Sequence, residues 1–516
     1  MSIISLTYPI FIIITAFLYF IIPKKFQWIV LLMASTVFYV SAGISCMGAI
    51  LATIVSQYLL AARLDRMNCE LESRLQESGL CGKEKAALKK AGADAKKKYV
   101  VLSVLINIGL LCFVKYTGVF FEDIQILAPL GISFYTFKSL GYVIDVYRGK
   151  EKAEKNIFKL ALFLSYFPAI IQGPIDRCKD LAQQLYAPHF FDYRRVTFGA
   201  QRMLWGYIKK LVIAERVAVV VNEVFNNYAV KEYQGFVVFV GVFLYGIQIY
   251  ADFSGGMDII CGVSEVFGIT LTENFRRPFM ARSVSEFWQR WHITLGAWFR
   301  NYLFYPLSLS KPFHSLGKKC RKVFGDKAGK VIPPSLASFT VFLLIGIWHG
   351  AGWKYVVYGI YQALFVSTGT LFEDGYARIR RLCRIREERT GWKLFQTLRT
   401  VFIITAGRYF SRAADLEQVV GMMKATLAQF NPWVFFDGTF YRLGLNEKNF
   451  RLMLLSIVIL LGIDVLQEKN IRLREAIAGC NIAVRWGIYY AAVLAVVIFG
   501  MYGAGYDAAG FIYQAF

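Results

Sequence analysis

The sequence has few residues of the kinds that build common catalytic and metal sites. Only 4 of its 516 residues are histidine, and its 9 cysteines are scattered without a CxxC pair or a histidine at ligand spacing. This pattern argues against a zinc site. A GxSxG elbow, a P-loop and an HExxH motif are also absent, so the usual hydrolase, nucleotide-binding and metalloprotease signatures do not apply.

Long apolar runs dominate the chain. Hydrophobic residues make up 56% of it, whereas a soluble domain averages about 45–50%. A spanning helix needs about 20 apolar residues, and several runs reach that length alone or with their flanks. We predict an all-α, polytopic membrane helix bundle with roughly 11–13 membrane segments, some of them re-entrant. The runs lie at 3–22, 28–42, 47–62, 99–121, 235–250, 335–348, 356–372, 452–466 and 488–502.

The net charge of +24 fits a membrane protein better than a nucleic-acid-binding protein. Lysine and arginine collect in the cytoplasmic loops of membrane proteins. We therefore expect the basic segments 63–98, 311–330 and 378–389 to face the cytoplasm, with the N-terminus outside. Good helix formers dominate segment 63–98, which predicts a helical hairpin.

The middle of the chain, from about residue 130 to 370, differs from the plain apolar runs on either side. Polar residues interrupt its apolar stretches, and we expect Pro168, Gly173, Pro174, Gly255 and Gly256 to break helices there. Irregular backbone at membrane depth is tolerated where it is buried in protein or lines a wet cavity. We therefore expect this part of the chain to surround a cavity.

His349 is the ionisable group best placed for chemistry. It follows the apolar run 335–348 and precedes Gly350 and Gly352, so a helix should end just past it. Desolvation there favours a neutral imidazole, which can accept a proton from a hydroxyl. The alternative is a histidine that is only hydrogen-bonded at a helix junction, but an ionisable group inside a membrane segment favours function.

His292 lies in a segment too polar for a lipid-facing helix. Between residues 283 and 307, charged and amide side chains mix with Trp, Tyr and Phe. Trp and Tyr favour the interface, so we expect helices that lie there or re-enter from the cytoplasmic side. These residues alone leave two roles open for His292, a functional group or an incidental part of an interfacial anchor. We expect His189 and His314 in loops without a catalytic role.

The stretch YADFSGGMD places Asp252, Ser254 and Asp258 beside two glycines. Their side chains can line the cavity, or the carboxylates can pair with nearby arginines, and structural pairing is the favoured role. The candidate partners are Arg276, Arg277 and Arg290.

Three stretches resemble the membrane-bound O-acyltransferase family, in the branch of the bacterial alginate O-acetylation protein and the D-alanyl transfer protein of teichoic acid. They are ENFRRPFMARSVSEFWQRWHITLGAWFRNYLFYPL, IGIWHGAGWKYVVYGIYQA and YGIQIYADFSGGMDIICGVSEVFGI. Supporting matches are LGISFYTFKSLGYVIDVYRG, YFPAIIQGPIDRCKDLAQQL and the closing FIYQAF, so the resemblance extends from about residue 100 to the C-terminus.

The resemblance implies a helix bundle around a central funnel or tunnel. It implies that His349 is the essential histidine, and that His292 is a second histidine of this branch, either catalytic or structural. We expect N-terminal membrane helices and a basic loop at 1–98, a core with the WHG histidine at 99–375, and C-terminal helices of the acetylation type at 376–516. The candidate substrate contacts are Trp348, Trp291, Asn301, Asp252, Ser254 and Gln248.

The resemblance also implies a reaction. The long C-terminal tail favours acetyl over D-alanyl transfer, because the D-alanyl transfer proteins resemble shorter chains that end soon after the WHG region. The donor is expected to be a cytoplasmic thioester, acetyl-CoA or an acyl carrier protein, with no tightly bound cofactor and no metal. His349 would act as general base, and donors near His292, with Trp291 or Asn301, would stabilise the oxyanion.

Expected partners are the membrane lipid, a polysaccharide acceptor and an extracellular esterase-like protein that completes transfer at a bacterial cell membrane. Alternatives of another class are a non-catalytic transporter or a scaffold of a polysaccharide export complex. The missing inverted repeat counts weakly against a transporter. The two Trp-His pairs, Trp291-His292 and Trp348-His349, favour the enzyme.

Overall fold

The computed structural model describes residues 1–76, 81–120, 129–350 and 352–502. The closing motif at residues 511–516 lies outside this part of the chain. The helices are α1 Thr7–Ile21, α2 Gln27–Val40, α3 Met47–Gln76, α4 Gly82–Phe120, α5 Ile132–Tyr147, α6 Ile157–Ser165, α7 Cys178–Tyr186, α8 Tyr193–Tyr207, α9 Glu215–Asn226, α10 Tyr228–Lys231, α11 Phe236–Val266, α12 Val284–Arg290, α13 Ile293–Phe299, α14 Tyr305–Ser308, α15 Lys311–Phe324, α16 Asp326–His349, α17 Trp353–Leu371, α18 Glu373–Leu382, α19 Thr390–Arg412, α20 Leu416–Ala428, α21 Glu447–Glu468, α22 Leu473–Ala478 and α23 Ile482–Phe499. π-helical turns cover Ile208–Ala214 and Arg300–Phe304, and 3-10 turns cover Lys24–Phe26, Ile44–Cys46, Pro278–Met280, Pro432–Phe435 and Thr439–Arg442.

The helices confirm a polytopic membrane bundle. In the described part of the chain, six helices are long and apolar enough to cross a membrane, namely α3, α4, α11, α16, α21 and α23. Helices α17 and α18, which bend by 64° at their junction, count as a seventh if they form one broken span. The roughly 11–13 predicted segments exceed this number because runs such as 3–22 and 28–42 fold into helices of only 15 and 14 residues.

The chain packs into two compact units, which are described separately. The first contains Met1–Met203 and Ile260–Thr272, and the second contains Leu204–Ile259 and Glu273–Phe516. In the first unit, α3 and α4 pack together and confirm the predicted hairpin. Lys96 Nζ on α4 donates to Asn68 Oδ1 on α3 at 2.6 Å, so buried polar groups of the two helices satisfy each other.

The helix break predicted around Pro168, Gly173 and Pro174 is confirmed within the first unit. Helix α6 ends at Ser165 and α7 begins at Cys178, with non-helical backbone between them. This segment is buried among aromatic rings, and Phe167 packs edge-on against Phe11 with ring centroids 5.3 Å apart. The irregular backbone is therefore enclosed in protein.

The break predicted at Gly255 and Gly256 is wrong, because α11 continues through both residues. Within the second unit, the backbone of residue 206 lies against this part of α11. A Cβ atom added to Gly255 would lie 2.9 Å from the carbonyl oxygen of Gly206, and one added to Gly206 would lie 2.6 Å from that of Gly255. The two glycines thus allow close helix packing, as small residues do in membrane proteins.

A second close crossing joins α16 and α17 in the second unit. A Cβ atom on Gly346 would lie 2.4 Å from the carbonyl oxygen of Tyr355 and 2.9 Å from the Cα of Gly359. A side chain at either glycine would push the helices apart. The crossing therefore fixes the end of α16, which carries His349, against the start of α17.

Candidate active site

Helix α16 ends at His349, as the sequence predicts. Gly350 is the C-terminal cap, and its backbone N–H donates to the carbonyl of Ile347. A Cβ atom on Gly350 would lie 2.4 Å from Cε2 of Tyr355, so a side chain here would displace that ring. The glycine after the histidine therefore lets α17 return directly over the imidazole.

Aromatic rings surround the half-buried His349. Its ring centroid lies 4.9 Å from that of Trp348, 6.2 Å from that of Tyr358 and 6.5 Å from that of Tyr355. These rings limit the orientations of the imidazole and reduce the water around it. A histidine in such a setting is suited to accept a proton from a positioned hydroxyl.

His292 lies at a sharp turn between α12 and α13. A short antiparallel pairing joins Phe275 to Trp291, and the backbone N–H of Ile293 donates to the carbonyl of Asn274 at 3.0 Å. His292 itself has a φ of 47°, a left-handed conformation that is uncommon for residues other than glycine. Such strain persists only where the surrounding structure enforces it, and it is often found at functional sites.

The side chain of Asn274 holds this turn in place. Its Oδ1 accepts hydrogen bonds from the backbone N–H of Thr294 at 3.0 Å and from the Thr294 hydroxyl at 2.7 Å. The His292 ring packs edge-on against Phe253 of α11, with centroids 4.9 Å apart, and only 3% of the residue is exposed. Burial lowers the pKa of His292 from its ordinary value of 6.5 to about 3, so the imidazole is neutral at physiological pH.

The buried His292 should make the folded protein sensitive to mild acid. The unfolded chain binds a proton at this residue as the pH falls below 6.5, whereas the folded chain does so only near pH 3. Between pH 7 and pH 5 we expect the free energy of unfolding to fall by about 2 kcal/mol more in the wild type than in His292→Asn, since asparagine tolerates the left-handed backbone and does not titrate. Equilibrium unfolding in mixed detergent micelles measures this difference, and equal pH slopes would contradict it.

A cavity of about 450 Å³ joins the two histidines within the second unit. His292 and His349 both line it, together with Trp288 and Trp291, and most of its other lining residues are apolar. A volume of this size is typical of small-molecule sites. The pair Trp291-His292 and the histidine of the second pair, His349, which are distant in sequence, thus line one cavity.

A second, much smaller cavity of about 20 Å³ lies on another side of His349. Trp288 and His349 line both cavities. The Trp288 indole N–H donates to Gln362 Oε1 at 3.2 Å, which fixes the ring. The small cavity is lined by Ile249, Trp288, His349, Tyr355, Tyr358, Arg408 and Ser411.

The six predicted substrate contacts lie at different places in the second unit. Trp291 lines the larger cavity, and Trp348 packs on His349. Asn301 lies half-buried in the π-helical turn after α13, and Gln248 is buried on α11. Among the described residues, no group of three or more His, Cys, Asp or Glu side chains is placed to hold a metal ion.

Asp252 and Ser254 of α11 face two lysines of the π-helical turn Ile208–Ala214. Lys210 Nζ lies 2.5 Å from Asp252 Oδ1, and Lys209 Nζ donates to Ser254 Oγ at 2.9 Å. Lys209 also pairs with Asp258 at 2.5 Å. The expected arginine partners were therefore wrong, because the π-helical turn brings lysines against α11. The pairing itself agrees with the structural role favoured for these carboxylates.

The arginines expected to pair with α11 bind other carboxylates. Arg277 and Arg290 both pair with Glu468 of α21, at 2.8 Å and 3.0 Å, and Arg290 also pairs with Glu286 at 2.7 Å. These pairs connect the Trp-rich segment to the end of α21. They help to hold the segment that carries His292.

Several residues of the site were missed at the level of sequence. Trp288, Tyr355 and Tyr358 enclose His349, and Arg408 lines the small cavity. For Arg408 there was a usable signal, because it follows the apolar stretch VFIITAG and an ionisable group there is a functional candidate. The tyrosines gave no such signal, since tyrosine is common throughout the chain.

One segment of the chain matches a known family. Residues 153–325 match the model of MBOAT, the membrane-bound O-acyltransferase family. The matched segment covers about a third of the chain. The match includes His292 and ends before His349. The resemblance recognised in the three motifs and the assignment as an O-acyltransferase are both confirmed.

The relatives of the chain are named for different acceptors. The chain is 28% identical to the probable alginate O-acetylase of Azotobacter vinelandii, over 81% of this chain and 76% of the relative. It is 26% identical to the peptidoglycan O-acetyltransferase of Helicobacter pylori, over 77% and 72%. It is 29% identical to the teichoic acid D-alanyltransferase of Bacillus subtilis, over 48% and 60%.

Proposed function

We propose that this MBOAT enzyme moves an acetyl group from a cytoplasmic thioester toward hydroxyls of an exported or cell-wall polysaccharide, with His349 as general base. The observation that carries the proposal is the cavity of about 450 Å³ that His349 and His292 share. It brings a candidate base to a space large enough for a thioester and a sugar hydroxyl. In this proposal the cavity belongs to a path through the bacterial cytoplasmic membrane, within the core segment 99–375.

The reaction would proceed as an addition followed by an elimination. The acceptor hydroxyl attacks the thioester carbonyl carbon while His349 takes its proton, and the carbonyl electron pair moves to oxygen. The tetrahedral intermediate then expels the thiolate, which receives the proton from the imidazolium. His292 stays neutral and, with Trp291, would shape the wall of the cavity, whereas Trp348 holds the ring of His349.

The acceptor and donor sides would follow the predicted topology. Basic segments such as 311–330, which forms α15 and the start of α16, would face the cytoplasm and attract the phosphates of acetyl-CoA or of an acyl carrier protein. The acceptor would be an external polysaccharide, and an esterase-like partner protein would complete transfer. Asn301 would contact the substrate from the π-helical turn next to Arg300, which lines the larger cavity.

The extent of the alignments with relatives bears on which acyl group is transferred. The acetyl-transferring relatives align over about four fifths of this chain, whereas the D-alanyl-transferring relative aligns over about half. This supports acetyl as the acyl group. D-alanyl transfer from a carrier protein to teichoic acid is the second candidate, because the D-alanyltransferase relative is 29% identical over 48% of this chain. The match to an acyltransferase family model and the acyltransferase relatives favour an enzyme over the transporter and scaffold alternatives.

Chemical analysis of surface esters tests the proposal. Cells with and without the gene for this chain are treated with mild alkali, and the acids released from their surface polysaccharide are identified by mass spectrometry. We expect acetate that depends on the gene. D-alanine in its place would establish the second candidate, and no gene-dependent ester of either kind would refute the proposed function.

A further inference from the structure

Arg408 carries a buried charge beside the proposed base. The residue lies near the end of α19 and is only 3% exposed. Its guanidinium carbon lies 4.9 Å from the ring centroid of Trp291. Within the part of the chain that the structure describes, its Nε and Nη2 atoms have no hydrogen-bond partner. Burying such donors without an acceptor is costly, so their retention points to an acceptor that arrives with the substrate.

The small cavity shows where that acceptor would bind. Arg408 and His349 both line it, and its volume is about 20 Å³. A cavity of roughly 10–15 Å³ on this scale is enough for one water molecule. Both side chains form part of its wall, so an oxygen atom bound there would lie close to the proposed base and to the cation.

Two other donors in the wall of the small cavity are already engaged. The Trp288 indole N–H donates to Gln362 Oε1 at 3.2 Å, and the Ser411 hydroxyl donates to the carbonyl of Arg408 at 3.2 Å. The guanidinium is thus the group in this wall best able to bind a negatively charged oxygen.

A glycine fixes the position of Arg408. A Cβ atom on the preceding residue, Gly407, would lie 2.7 Å from Nε2 of Gln362 and 3.2 Å from Cε1 of Tyr361. Helix α19 therefore approaches α17 closely at this point. The approach holds the guanidinium next to His349 without help from a carboxylate, a placement expected for a preorganised catalytic cation.

We propose that Arg408 is a catalytic residue that binds the oxyanion formed on the acyl carbonyl, an inference that rests on the proposed acyl transfer. When the acceptor oxygen bonds to the carbonyl carbon, the π electron pair moves to the carbonyl oxygen, and His349 holds the proton. The oxyanion occupies the small cavity against the guanidinium. Its electron pair then re-forms the carbonyl as the C–S bond breaks, and the thiolate takes the proton back from His349. The sequence placed this task near Trp291 or Asn301, and the geometry moves it to the cation that stacks on Trp291.

The test compares initial rates of ester formation in cells after induction. Removal of one oxyanion donor lowers turnover by about 10²–10³-fold, so we expect a loss of that order in Arg408→Gln and a smaller loss in Arg408→Lys. The matched control is Arg412→Gln, one turn further along α19, where the arginine donates to Asn222 and Asn226. It should keep the wild-type rate, with all proteins compared at equal membrane abundance and thermal stability.

A binding experiment separates catalysis from folding if Arg408→Gln is unstable. The probes are trifluoroacetonyl pantetheine, whose ketone adds water to form a stable tetrahedral hydrate, and S-propyl pantetheine, which has no carbonyl. Calorimetry should show that Arg408→Lys weakens binding of the ketone by about tenfold or more and leaves binding of the thioether unchanged. Equal weakening of both probes, or a wild type that does not prefer the ketone, would overturn the proposal.

The outcomes also separate this inference from the proposed function. If cells with the wild-type chain make no gene-dependent ester, the acyl-transfer proposal fails. If the wild type makes ester and Arg408→Gln makes it at half the wild-type rate or faster, acyl transfer stands and the role of Arg408 is refuted.

Discussion

His349→Ala should abolish ester formation and leave a folded protein in the membrane. A general base contributes about 10²–10⁴-fold to a rate, and no other histidine lines the small cavity that His349 shares with Arg408 in the described structure. The fold should tolerate the change, because His349 is half-buried at a helix end and borders two cavities. The measurement is the initial rate of alkali-labile acetate formation on surface polysaccharide, together with membrane abundance and thermal stability.

A matched histidine provides the control for this experiment. His314 lies exposed on α15, outside both cavities, so His314→Ala should keep the wild-type rate. Wild-type ester in His349→Ala would refute its role as base. An unstable His349→Ala protein would instead require His349→Gln, which keeps the volume and a hydrogen-bonding side chain but cannot act as a base at neutral pH; it should be equally inactive.

Among the variants named here, Lys210→Met should lower the free energy of unfolding the most. Lys210 is 2% exposed and pairs with Asp252 at 2.5 Å and with Glu215 at 2.6 Å, so its loss leaves two carboxylates in a buried setting without this cation. Breaking a buried pair by removing one partner costs about 3–5 kcal/mol. Yield of monodisperse protein and unfolding in mixed micelles measure the effect.

An exposed lysine provides the control for this prediction. Lys231 pairs with Glu223, but its side chain is 49% exposed, so Lys231→Met should have little effect on stability. Neutralising the carboxylates as well, in Lys210→Met with Asp252→Asn and Glu215→Gln, should recover much of the lost stability, because no uncompensated charge is then left at this site. Equal stability of the two single variants would contradict the prediction.

The parts of the fold that were predictable depend on local sequence. Apolar runs identified the membrane helices, and the glycines after His349 predicted the end of α16 because they act within a few residues of the chain. The motifs identified the family for the same reason. The prediction at Gly255 failed, because a glycine can mark either a helix break or a close approach of two helices. Only the packing of Gly206 against Gly255 shows that the second case applies.

The parts that were not predictable depend on contacts between distant segments. The sequence gives no register between α11 and the π-helical turn, so it could not show that Asp252 faces Lys210 instead of an arginine. Arg408 was overlooked because it lies about 60 residues after His349 in a segment recognised only by resemblance. The proximity of Arg408 to His349 appears only in the folded structure, where both residues line the same small cavity.

The small cavity beside His349 also bears on how much of the acyl donor the proposed reaction would lose to hydrolysis. If the oxyanion occupies the small cavity as proposed, an attacking water would have to come through the larger cavity, as the sugar would. Sugar and water then compete for the same approach to the carbonyl carbon. In the proposed reaction, the fraction of thioester lost to hydrolysis would therefore depend on how completely the glycan fills the larger cavity. A poorly fitting glycan would increase that loss.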